Sequence, residues 1–116
     1  MVQYLDGDSG LAVRAFSALA DPARLAIVDR LGDGPASVSE LAEPAGMTLT
    51  GMKKHVRILE EAKLVRTEKQ GRTRVCELSE EGFDEAAFWL DEFRRRQHQK
   101  LNRLEQAIEK RKREGQ

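Results

Sequence analysis

Apolar residues recur at helical spacing from near the start of the chain. Leu11, Ala12, Ala15, Phe16 and Leu19 predict an amphipathic helix over about residues 9–20. Asp21-Pro22 restarts the chain, because an Asp carboxylate accepts from the orphan amides of a helix start and Pro loses no needed hydrogen bond at the first helical position. A second helix with Leu25, Ile27, Val28 and Leu31 follows, and Gly32-Asp33-Gly34-Pro35 ends it. Ser37-Val38-Ser39-Glu40 reads as a capping box opening a short third helix, limited by Pro44 and ended by Gly46. Thr48 then caps a fourth helix with Met52, Val56 and Leu59 at i, i+4 and i+7.

Two short helices joined by a tight Gly-containing turn make a helix-turn-helix, whose second helix fits a DNA major groove. With Met52, Val56 and Leu59 inward, Thr50, Gly51, Lys53, Lys54 and Arg57 project largely away from the core. Leu64–Lys69 and Thr73–Leu78 are β-prone and separated by Gln70-Gly71-Arg72, which predicts a two-stranded wing. From Ser79 a long helix is expected, with Phe83, Ala87, Leu90, Leu101, Leu104 and Ile108 on a stripe interrupted by Arg94 and Gln97. Such a stripe implies packing against the chain's own domain early and against a second subunit later. The segment from Lys110 to Gln116 is expected to fray.

The 116 residues amount to one domain, with a core and wing over residues 9–78 and a C-terminal helix over 79–113. The fold class is mainly α with a small β-hairpin. Twenty basic and twenty acidic side chains cancel, but residues 48–76 carry eight basic against three acidic groups, a net +5. A charge run alone is ordinarily a solvated face. Here it coincides with the exposed side of the fourth helix and with the wing, where Lys69, Arg72 and Arg74 add to Lys53, Lys54 and Arg57. The longest apolar run, Ala86–Leu90, is far short of the roughly 20 residues of a membrane span. The N-terminus lacks the basic-then-apolar pattern of a secretory signal, so a cytoplasmic protein is expected.

Four motifs in order carry a family resemblance: Ala18-Leu19-Ala20-Asp21-Pro22-Ala23-Arg24-Leu25, Ser39-Glu40-Leu41-Ala42, the run from Lys54 to Val65, and Gly71-Arg72. Over roughly residues 12–105 the chain resembles the ArsR family of winged-helix repressors. The resemblance implies a homodimer built mainly from the first and last helices, which sets two recognition helices on the half-sites of an inverted repeat in double-stranded DNA. It implies recognition-helix roles for Thr48, Thr50, Gly51, Lys53, Lys54 and His55 and a wing role for Arg72. Arg57, Lys69 and Arg74 join the DNA-binding set on their placement alone. Leu11, Phe16, Leu90, Leu101, Leu104 and Ile108 are the expected dimer interface.

A thiolate metal site of the family's kind needs two cysteines near the start of the third helix, where this chain has Ser37 and Ser39, whose hydroxyls do not replace thiolates for soft metals. A site between last helices would draw on Asp84, Asp91 and His98, but no second histidine follows His98. No metal or cofactor is therefore expected. Cys76 shares its strand direction with Leu78 and reads as a small hydrophobe. His55 reads as a DNA contact or a packed residue, and Phe88 and Trp89 as core or interface. Gly51 costs about 1 kcal/mol within a helix relative to Ala, offset by close approach to DNA or by nothing. No nucleophile–base pair, phosphate loop or paired carboxylates appear, so the chain is not read as an enzyme. The two classes left are a DNA-binding repressor and a protein-interaction module that has lost DNA binding.

Overall fold

The structure, a computed structural model, describes residues 10–115. Two units divide the chain between Ala86 and Ala87. The first contains α1 (Gly10–Leu19), α2 (Pro22–Leu31), β1 (Ala36–Ser37), α3 (Val38–Ala45), α4 (Leu49–Glu61), β2 (Val65–Gln70) and β3 (Thr73–Leu78). It also holds the first turns of α5 (Glu80–Glu114). The expected start of α1 at residue 9 lies outside the described residues.

The helix starts follow from local chemistry. The Asp21 carboxylate accepts from the amides of Ala23 at 2.8 Å and Arg24 at 3.1 Å. Ser37 and Glu40 form the reciprocal capping box, the Glu40 amide donating to Ser37 Oγ at 3.0 Å and the Ser37 amide to Glu40 Oε1 at 2.8 Å. Pro44 is accommodated inside the last turn of α3, and Gly46 ends the helix with φ 65°. The C-terminus of α4 closes in the same way on a non-glycine residue. Lys63 has φ 61°, while its amide donates to the Glu60 carbonyl at 3.0 Å and the Leu64 amide to the Leu59 carbonyl at 3.0 Å.

The core gathers Ile27 and Leu31 from α2, Leu41 from α3, Met52, Val56 and Leu59 from α4, and Leu64, Val65 and Cys76 from the sheet. Each large aliphatic side chain withdrawn from water contributes about 1.5–3 kcal/mol. Leu25, read as an apolar position of α2, is 49% exposed and outside this core.

The wing is more than the expected hairpin. Its antiparallel sheet has three strands in the order β1-β3-β2, with Ala36 opposite Cys76 and Ser37 opposite Val75. The third strand is two residues long, and its last residue, Ser37, also caps α3, so the capping signal masks the strand.

In the second unit, residues 87–114 of α5 remain helical. The Trp89 and Phe93 rings stack with centroids 5.5 Å apart, and Arg95 pairs with Glu92. Leu101, Leu104 and Ile108 are 53%, 57% and 48% exposed at successive helical turns. The fraying expected from Lys110 is not seen as far as Glu114: Arg111, Lys112 and Arg113 lie in the last turn, where cations complement the helix dipole.

Candidate nucleic-acid interface

Thr48 starts α4 by accepting from the Gly51 amide through Oγ1 at 3.0 Å. A Cβ on Gly51 would lie 3.2 Å from that same hydroxyl, so the glycine leaves room for the cap. Burial of Met52, Val56 and Leu59 fixes the rotation of the helix and leaves Thr50, Lys53, Lys54 and Arg57 exposed.

On the hairpin, register pairs Lys69 with Arg74 and Gln70 with Thr73, leaving Gly71 and Arg72 as the two turn residues. Gly71 has φ 63° at the first central position, where hairpin turns of type II′ place glycine. Lys69 and Arg74, directly opposite each other, share the sheet face that carries the Thr67–Cys76 pair.

That face and the start of α4 enclose a cleft of about 300 Å³ lined by Lys53, Lys69, Arg72 and Arg74 together with Ser39 and Leu49. Four cations from two separated segments thus meet around one concavity. Within it Arg74 is held, its Nη1 donating to Thr67 Oγ1 at 2.9 Å, and Thr67 Oγ1 in turn donates to Glu60 Oε2 at 2.9 Å. On the outer face of the hairpin, Arg66 is paired with Glu77 at 2.6 Å.

Thr50, Lys54 and Arg57 belong to the outward face of α4 and do not line the cleft. His55 is half-buried, and its Nδ1 lies 3.4 Å from Arg24 Nη1 of α2. Sequence reasoning missed Ser39 and Leu49 as cleft residues and gave Arg24 no role. Ser39 could have been found from the helical phase that buries Leu41 and Ala42, which turns it outward.

Ser37, where the resemblance would place a thiolate, is 8% exposed and engaged in the α3 cap. Among the described residues no three His, Cys, Asp or Glu side chains cluster in a way that would hold a metal ion. Cys76 is fully buried, and desolvation together with the nearby Glu60 carboxylate pushes its thiol up to about 11.

A helix-turn-helix domain family matches residues 19–68. The HTH-type transcriptional regulator Rv2034 of Mycobacterium tuberculosis is 39% identical over 80 residues, covering 69% of this chain and 75% of that protein. A crystal structure of the ArsR family transcriptional regulator RHA00566 is 43% identical, with a TM-score of 0.72 over 77% of this chain and 92% of that one. The chain belongs to the ArsR family of transcriptional regulators. The fold of this ArsR-family regulator is a winged helix-turn-helix, with α3 and α4 as the helix pair and β2–β3 as the wing. A solution structure described as the homodimeric winged helix-turn-helix DNA-binding domain of Mb0332 from Mycobacterium bovis is 27% identical, with a TM-score of 0.60 over 70% of this chain and 76% of that one.

Proposed function

We propose that this regulator is a homodimeric repressor that binds an inverted-repeat operator in double-stranded DNA. The observation that carries this reading is the cationic cleft between α4 and the wing. Phosphates are the abundant partner for clustered, solvent-facing Lys and Arg, and an exposed helix beside the cleft is what a major groove admits. Thr48, Thr50, Gly51, Lys53 and Lys54 meet DNA at and near the start of α4, with His55 and Arg57 further along it. Lys69, Arg72 and Arg74 meet it from the wing.

The chain acts as one functional domain over residues 1–116, with a core and wing over 9–78 and a dimerisation helix over 79–113. Leu11 and Phe16 of α1, with Leu90, Leu101, Leu104 and Ile108 of α5, form the subunit interface. Phe16 is 37% exposed and Leu11 half-buried. The protein works in the cytoplasm, without a metal or catalytic step. Among the described residues no helix is long and apolar enough to cross a membrane.

Selection of bound fragments from the source genome, followed by electrophoretic shift and sedimentation of the complex, tests this. The expected result is a retarded complex holding two chains on a fragment with two-fold related half-sites. A chain that retards no fragment, yet is captured by another protein through its C-terminal helix, contradicts the reading and favours an interaction module. Leu101→Glu with Leu104→Glu should weaken dimer and complex together.

A further inference from the structure

Arg24 joins three helices. Its Nε donates to the Ala18 carbonyl at the end of α1 at 2.6 Å, its Nη1 lies 3.9 Å from the Asp21 carboxylate that caps α2, and the same Nη1 reaches His55 Nδ1 of α4 at 3.4 Å. The side chain is only 15% exposed, so this placement is fixed by packing as well as by hydrogen bonds.

A guanidinium donates and never accepts. His55 Nδ1 must therefore be the acceptor, and the ring proton must sit on Nε2. Among the described residues no hydrogen bond engages Nε2, and no buried polar side-chain atom there lacks a partner, so Nε2 reaches solvent. It does so on a flank of α4 between the buried stripe of Met52, Val56 and Leu59 and the exposed face carrying Thr50, Lys54 and Arg57.

We propose that Arg24 is a positioning residue that holds His55 in the Nε2–H tautomer and so presents a neutral hydrogen-bond donor to a DNA phosphate. This rests on the DNA-binding reading above and adds a donor whose energetic signature differs from that of the lysines and arginines. A cation meeting a phosphate releases counterions and contributes about 0.9 to the slope of log affinity against log salt, whereas a neutral imidazole N–H releases none.

The test has two readouts on the full chain. Long-range proton–nitrogen correlation spectra of the 15N-labelled protein without DNA should show His55 with a pyrrole-like Nε2 and a pyridine-like Nδ1. The opposite tautomer, or an even mixture, overturns the inference. On an operator fragment, His55→Gln places an amide N–H near the Nε2 position and should bind nearly as well as the native chain. His55→Asn can accept from Arg24 in place of Nδ1 but offers nothing at Nε2. It should bind about ten- to a hundredfold more weakly, the scale of one net hydrogen bond from each of two subunits, with the salt slope unchanged.

A slope that falls by about 0.9 per subunit in His55→Asn would mean that an imidazolium meets the phosphate, and would overturn the proposal. Equal binding by native, Gln and Asn chains would overturn it as well. Arg24→Leu should redistribute the tautomers. If that chain does not fold, the native spectrum and the His55 pair still decide. Failure of the native chain to bind any DNA contradicts the underlying functional reading, while a wrong tautomer in a chain that does bind DNA contradicts this inference alone.

Discussion

The Gly82 amide donates to the Lys63 carbonyl at 2.8 Å, and a Cβ on Gly82 would lie 2.8 Å from that oxygen and 2.3 Å from the Ala62 carbonyl. The start of α5 is therefore seated on the end of α4 through backbone alone, at a distance that only glycine permits. Gly82→Ala gains helix propensity but forces these carbonyls apart, and should destabilise the fold by about 1–3 kcal/mol in urea unfolding. Lys63 across the same contact pays for a left-handed backbone, about 1–2 kcal/mol for a residue with a Cβ. Lys63→Gly relieves that strain and should raise the midpoint of urea unfolding, by less than the full strain because glycine also frees the unfolded chain.

Cys76 should resist alkylation in the native protein at pH 8 and react fully once unfolded, because its thiol is buried and held neutral. Its titration is raised from 9.0 to about 11, so the stability linked to it is complete below pH 9 and is lost as pH rises through about 11. At about 1.4 kcal/mol per unit, Cys76→Ala should remove roughly 2–3 kcal/mol of alkaline pH dependence. The check is urea unfolding of both chains between pH 8 and 11.

The acid side has the opposite sign. Asp21 is held below its ordinary 3.8 by the amides of Arg24 and Ala23, and Glu40 below its ordinary 4.5 by the backbone amide and side chain of Ser37. Both contribute stability above those values and lose it as pH falls through their lowered native ones. Asp21→Asn with Glu40→Gln should flatten the fall in unfolding midpoint below about pH 5, while leaving a less stable protein at neutral pH.

The helix starts were legible because each is decided within four residues. Asp21-Pro22, Ser37 with Glu40, and Thr48 satisfy amides three positions away or fewer, so sequence and structure agree on them. What was not legible depends on partners far along the chain. β1 exists only because Ala36 and Ser37 meet β3 some forty residues on, and Arg24 acquires its role from His55, 31 residues away. The left-handed turn at Lys63 carries no sequence signal, since glycine or asparagine is the usual mark of such a cap. The cationic members of the cleft were visible as residue types, but their convergence with Ser39 and Leu49 required the packing of α3 and α4 against the wing.

Lys53 lies both on the exposed side of α4 near its start and at the rim of the cleft. Its replacement by Ala should lower affinity unevenly across operator variants, with discrimination at one base pair changed by about 1–3 kcal/mol. A uniform loss over all variants would assign Lys53 to the phosphates instead. Competition binding with single-base operator changes distinguishes the two.

Lys69 and Arg72 are exposed cations of the wing with no side-chain hydrogen bond or ion pair among the described residues, unlike Arg74, which donates to Thr67 and through it is linked to Glu60. The most direct measurement of DNA binding through the cleft is the affinity of the Lys69→Gln, Arg72→Gln chain for its operator over a series of salt concentrations. Each lost phosphate contact lowers the slope of log affinity against log salt by about 0.9, so the slope should fall by nearly two units per subunit, with binding weakened alike on all sequences. A slope and affinity equal to those of the native chain would show that the wing stays off the DNA and would contradict the account.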